Sequence, residues 1–141
     1  MADMQKLIAR LEAAEAGSRE LDALVWKALN PRGEIAIKGA GRPGLVDWRC
    51  RIPGATIANS WTNPGRYTTS LDAALALAER VGFPAYSGEI QPSGRWKWKI
   101  ASNAPLGASV RGPKWPSGVA KTPSLALCIA ILKAKAQGEG G

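Results

Sequence analysis

The stretch Gly94-Arg95-Trp96-Lys97-Trp98-Lys99-Ile100-Ala101 decides the fold class of this chain. Trp96, Trp98 and Ile100 alternate with Arg95, Lys97 and Lys99, which is the two-residue period of a β-strand with one apolar and one cationic face. The turn residues Gln91-Pro92-Ser93-Gly94 separate it from Ala85–Ile90, so the spacing predicts a hairpin over 85–101. A second segment, Val46-Asp47-Trp48-Arg49-Cys50-Arg51-Ile52, repeats the pattern, with Val46, Trp48, Cys50 and Ile52 on one side and Arg49 and Arg51 on the other. If the two strands share a sheet, Arg49, Arg51, Arg95, Lys97 and Lys99 lie together on one solvent face.

Helices flank these strands. The first is predicted over about Asp3–Ala16, with Asp3 as N-cap, a stripe of Leu7, Ile8 and Leu11, and Gly17 as its stop. Ser18 caps a second, in which Leu21, Leu24, Val25, Ala28 and Leu29 follow the i, i+3, i+4, i+7, i+8 pattern until Asn30-Pro31 ends it. Trp26 stands one position off that stripe. A third begins at Thr69, where Thr69-Ser70-Leu71-Asp72 fits a capping box, and closes at Gly82 and Pro84. The last is the best signalled, with Thr122 as cap and Pro123 in the first helical position. It is apolar nearly all round as far as Lys133 and therefore expected to be buried.

The expected architecture is α+β: an antiparallel β-sheet packed against three to four α-helices, sandwich-like. Residues 1–17 form an N-terminal helix, 18–136 a single α+β domain, and 137–141 a frayed tail. A Gly/Pro-rich insertion at about 31–66 carries two short strands, Glu34–Lys38 and Val46–Ile52, joined by a loop through Gly39–Gly44. A long loop over 53–67 carries Trp61 and Tyr67. Residues 102–121 also read as loop, with one short strand at Ala108–Arg111 and with Trp115 between Lys114 and Pro116.

Composition narrows the chemistry. The chain has 141 residues, a formal charge of +8 and no histidine. The usual general base, triad member and metal ligand is thus missing. The carboxylates Glu34, Asp47, Asp72, Glu79 and Glu89 show no paired spacing, so no catalytic residue is assigned and no enzyme is expected. Two cysteines, Cys50 and Cys128, lack metal-site or disulfide-framework spacing; they read as buried reduced thiols, and neither metal nor cofactor is expected. The segment Met1–Ala16 has no continuous apolar core of a signal peptide, no stretch approaches the length of a membrane span, and a cytoplasmic protein is expected. Charge is uneven: residues 1–30 carry net −1 and residues 31–141 net +9. A basic body favours polyanions, whether nucleic acid, nucleotide or an acidic protein, although simple solubility accounts for the same charge.

Tyr67-Thr68-Thr69-Ser70-Leu71-Asp72-Ala73-Ala74 and Thr122-Pro123-Ser124-Leu125-Ala126-Leu127-Cys128-Ile129-Ala130-Ile131-Leu132-Lys133-Ala134 resemble small proteins of tailed phages and prophages, of the group called the phage ABA sandwich domain. The resemblance covers about half the chain, and residues 31–66 depart from it. It implies an antiparallel sheet with helices packed on it and a phage or prophage origin, and it brings no catalytic residues. Many small phage genes of this kind act against host defence, so the implied activity is binding of a host protein or nucleoprotein complex in the bacterial cytoplasm, such as anti-CRISPR-like inhibition.

The candidate binding residues are Arg49, Arg51, Arg95, Lys97 and Lys99, as a groove for phosphates, with Trp61 and Trp115 available to stack on bases. The bland reading of the cations is a solvated sheet face, and of the two loop tryptophans, lids on the ends of the core. Trp48, Trp96 and Trp98 read as core. Direct binding of nucleic acid or nucleotide is the alternative to a protein target. A spare sheet edge and exposed tryptophan make a homodimer compatible with the pattern. The order helix, antiparallel strands, helix also echoes a double-stranded-RNA-binding domain, but Lys121 stands alone where such domains place a lysine cluster at the last helix.

Overall fold

The computed structural model of the chain describes residues 2–38, 47–53, 61–82, 85–100 and 116–139. Its centre is the last helix. Pro123 opens it, and the Thr122 hydroxyl accepts the Leu125 N–H at 3.2 Å, capping one of the free amides of the first turn. Leu125 to Leu132 are all buried without exposure, as an apolar circumference requires. This helix runs over Pro123–Glu139, so residues 137–139 continue it rather than fraying.

Numbered in chain order, the helices are α1 (Ala2–Ala13), α2 (Arg19–Leu29), α3 (Leu71–Arg80) and α4 (Pro123–Glu139). The strands are β1 (Glu34–Lys38), β2 (Asp47–Arg51), β3 (Ala85–Ile90), β4 (Trp96–Ile100) and β5 (Ser117–Ala120). They form two separate antiparallel sheets, β1-β2 and β3-β4-β5. The chain is therefore α+β, with four helices and two small sheets where the sequence reading placed one.

β4 and β5 press on α4 through the face that holds Trp96, Trp98, Ile100, Gly118 and Ala120. Gly118 permits this: a Cβ there would stand 2.1 Å from the Ala126 carbonyl oxygen and 2.7 Å from the Ala130 nitrogen. The β3–β4 turn closes through Gln91 N–H to Arg95 O (2.7 Å) and Gly94 N–H to Gln91 O (2.8 Å), with Gly94 at φ +87°. β5 lies in a stretch read as loop, because Ser-Gly-Val-Ala is short and small and its strand character comes only from pairing with β4. The strand expected at Ala108–Arg111 lies outside the described residues.

On its other sides α4 is covered by α1, α2 and α3. Met4, Leu7, Ile8 and Leu11 of α1 belong to the same core cluster as α4, so α1 is part of this body and not an appendage. Helix boundaries shift from the sequence reading. α1 ends at Ala13, short of Gly17, and Gly17 sits against the Thr68 carbonyl, with room for no side chain. The α3 cap is Ser70, whose Oγ accepts the Ala73 N–H at 3.2 Å, and not Thr69. Asp72 then falls at the second helical position and closes no capping box. Ser18 caps α2 as expected, accepting Leu21 N–H at 3.1 Å. Among the described residues no helix is long and apolar enough to cross a membrane.

Candidate functional site

The five expected cations do not form one face, since β2 and β4 belong to different sheets. The β1-β2 ribbon pairs Glu34 with Arg51 and Ala36 with Arg49, which places Glu34, Asp47 and the two arginines together on one side. Arg51 directs Nε and Nη2 at Glu34 Oε2 (3.1 and 3.0 Å), and its guanidinium carbon lies 4.4 Å from the centre of the Trp61 ring. Arg49 Nε is 2.8 Å from Asp47 Oδ2 but off the donor direction, a charge contact without a hydrogen bond. Both ribbon arginines are thus neutralised at home. Trp61 is half-buried beneath Arg51, and Trp115 lies outside the described residues.

In the three-stranded sheet Arg95, Lys97 and Lys99 take alternate positions on the face away from α4, as their spacing requires. Arg95 turns toward the end of α1, reaching the Glu12 carbonyl at 3.5 Å, where a cation complements the helix dipole. Beside it Lys121 hydrogen-bonds Glu15, and that contact holds the Glu15 carboxyl below its ordinary pKa, with Arg95 adding a smaller pull. Lys97 and Lys99 are left without an ion pair among the described residues. Their cross-strand neighbours differ. Lys97 stands between Glu89 and Val119, and Lys99 between Ser87 and Ser117.

The tryptophans of β4 do what the alternation predicts: Trp96 and Trp98 pack against the core, and Gly88 makes room for the Trp98 indole, which lies 2.6 Å from where a Cβ would be. Trp98 Nε1 is enclosed with no hydrogen-bond partner among the described residues. Trp26 packs over Gly33 beside the core, and half-buried Trp48 pairs with exposed Ile37 in the ribbon.

One polar site was not legible in the sequence. Asp22 is completely buried in α2. Its Oδ1 accepts the Thr68 N–H (2.8 Å) and hydroxyl (2.5 Å), and its Oδ2 accepts Arg19 Nη1 (2.6 Å). Arg19 also donates to the Pro64 carbonyl at 2.6 Å, and Ser18 N–H donates to Thr68 Oγ1 at 3.0 Å. A partner for a carboxylate in a first helical turn is a tertiary fact, and no local signal in the sequence announces it. The constellation ties the start of α2 to the segment before α3. Every acceptor on Asp22 is occupied from within the chain, which marks a latch rather than an open acid.

Both cysteines are free and buried. Burial raises the Cys50 thiol pKa against the opposing effect of a Thr62 hydrogen bond. Burial, and then the negative charge of Asp22, raise that of Cys128, whose Sγ–H donates to the Tyr67 carbonyl at 3.2 Å. Among the described residues no cluster of His, Cys, Asp or Glu is placed to hold a metal. A shallow depression of about 340 Å³ lies between the end of α2 and the ribbon, and among the described residues Arg32 is the one titratable group in its lining.

Fold and site together define an α+β protein with a helix-backed three-stranded sheet whose outer face carries two lysines without an ion pair among the described residues. No family model, no curated protein and no solved structure matches this chain.

Proposed function

We propose that this chain is a non-enzymatic binding protein that engages a polyanionic host macromolecule through the outer face of β3-β4-β5. The observation that carries the reading is the state of the cations. Arg49 and Arg51 are spent on Asp47 and Glu34, whereas Lys97 and Lys99 have no ion pair among the described residues. Unpaired cations on a strand-spaced row attract phosphates or acidic side chains over several ångströms of water, and the net +9 of residues 31–141 adds a long-range pull. The likeness of the Tyr67–Ala74 and Thr122–Ala134 segments to phage ABA sandwich proteins supports an accessory role, with a host defence protein or nucleoprotein complex in the bacterial cytoplasm as the target. Direct nucleic-acid binding is the second reading, favoured by the hydroxyls that flank Lys99.

Size-exclusion chromatography with light scattering, run with and without a short single-stranded oligonucleotide at low and moderate salt, separates the two. A complex that weakens with salt, and that Lys97→Glu with Lys99→Glu abolishes, supports polyanion binding by this face, since each phosphate contact contributes about one unit of log–log salt slope. No complex at either salt directs the search to a protein in host lysate; a lysate pull-down that also recovers no stoichiometric partner overturns the proposal.

A further inference from the structure

We infer that Ser87, Lys99 and Ser117 form a subsite for one phosphodiester group of a single-stranded nucleic acid lying across the outer face of β3-β4-β5. The inference rests on the second, nucleic-acid reading above and adds where on the face a phosphate is held. The register places the three residues side by side: Ser87 opposite Lys99, at the near end of a register shift between Ala85 and Ser87, and Lys99 opposite Ser117. Directly opposed residues of antiparallel strands project to the same side with Cβ atoms about 5 Å apart. The row therefore presents hydroxyl, ammonium and hydroxyl in line, and an anion held by the Lys99 ammonium can accept from the hydroxyl on either side of it, the two serines standing about 10 Å apart, too far to meet on one phosphate. Ser87 is exposed, Lys99 and Ser117 are half-buried, and α4 occupies the opposite face of the sheet.

The neighbouring row is of another character. Glu89, Lys97 and Val119 stand in line there, and an anion beside Lys97 meets the Glu89 carboxylate and an apolar side chain. The two lysines are one strand repeat of two residues apart and equal in charge, yet only one has donors on both sides and no acid in its row. Electrostatics alone makes Lys97 and Lys99 equivalent; hydrogen-bond chemistry makes them unequal. A phosphodiester suits the Lys99 row because it carries one charge and two free oxygens, one for the ammonium and one for a neighbouring hydroxyl. Arg95, the residue just before β4, is already engaged at the end of α1. The step of two residues between Lys97 and Lys99, about 6.7 Å, allows the next phosphate to reach Lys97 with weaker hold.

The test is fluorescence anisotropy of the full chain with a labelled single-stranded DNA of about ten nucleotides, titrated across salt. Lys99→Gln should lower affinity more than Lys97→Gln and reduce the salt slope by about one unit. The double change Ser87→Ala with Ser117→Ala removes no charge, so it should weaken binding about fivefold or more at an unchanged slope. Glu89→Gln should tighten binding. Circular dichroism melting confirms that each variant is folded, and Lys99→Arg serves as the variant that keeps the charge and retains most of the affinity. If the wild-type chain binds the strand but the lysine variants lose equally and the serine double variant is unchanged, the subsite is overturned while the basic face stands. If the wild-type chain does not bind the strand at any salt, nucleic-acid recognition by this face falls, and the subsite with it.

Discussion

Asp22 shows how one residue can hold two distant parts of a chain. It is enclosed, yet three donors meet it from α2 and from Thr68, 46 residues away. Removing the carboxylate leaves the Thr68 amide and the Arg19 guanidinium facing a void. Asp22→Ala should therefore cost about 3 kcal/mol or more, read as a lowered urea midpoint. Cys128 makes a different prediction. Burial raises its thiol pKa above the ordinary 9.0, so the folded chain keeps that proton when the unfolded chain has lost it. The folded state then binds more protons than the unfolded one above pH 9, and stability falls as pH rises. The contribution is complete below the unfolded pKa and is lost between it and the folded value. Denaturant titrations from pH 8 to 10.5 should show a decline in stability approaching about 1.4 kcal/mol per pH unit at its steepest. Cys128→Ala, which keeps Cys50, should decline less.

Among the elements, β5 is the least visible in the sequence. Its four residues have no strand signature beyond Val119, and Gly118 argues against a strand. The glycine is there because α4 passes within contact of the backbone. Gly118→Val should force sheet and helix apart, with a loss of about 1–3 kcal/mol and a lower thermal midpoint by circular dichroism. What the sequence does make legible is every element whose pattern is local: the alternation of Trp96, Trp98 and Ile100, the Ser18 and Thr122 caps, the turn at Gln91–Gly94, the apolar circumference of α4. What it hides depends on partners distant in the chain. No periodicity tells that β2 and β4 lie in separate sheets, that Arg51 is claimed by Glu34 and Trp61, or that Ser117 comes to stand beside Lys99. The alternation along β4 is accordingly legible, with Lys97 and Lys99 on one face as their spacing implies, while the condition for Arg49 and Arg51 to join them, a shared sheet, is not met.

At the scale of the whole molecule, the four buried side chains of α1 make residues 1–17 part of the common core. Each such side chain stabilises by about 1.5–3 kcal/mol when fully buried, and their combined loss compares with the entire stability of a domain this size. A chain lacking residues 1–17 should lose its cooperative thermal transition and bind a hydrophobic dye through the uncovered flank of α4. The same centrality of α4 has a consequence in time. The ribosome delivers a chain from its N-terminus at about 5–20 residues per second, and α4 follows every other described element. Until residues 123–139 emerge, the sheet and the three earlier helices have no common surface on which to settle, and their apolar faces wait in water for several seconds. Folding of this protein thus waits on the emergence of α4, and until then the apolar faces of the earlier elements are open to wrong contacts.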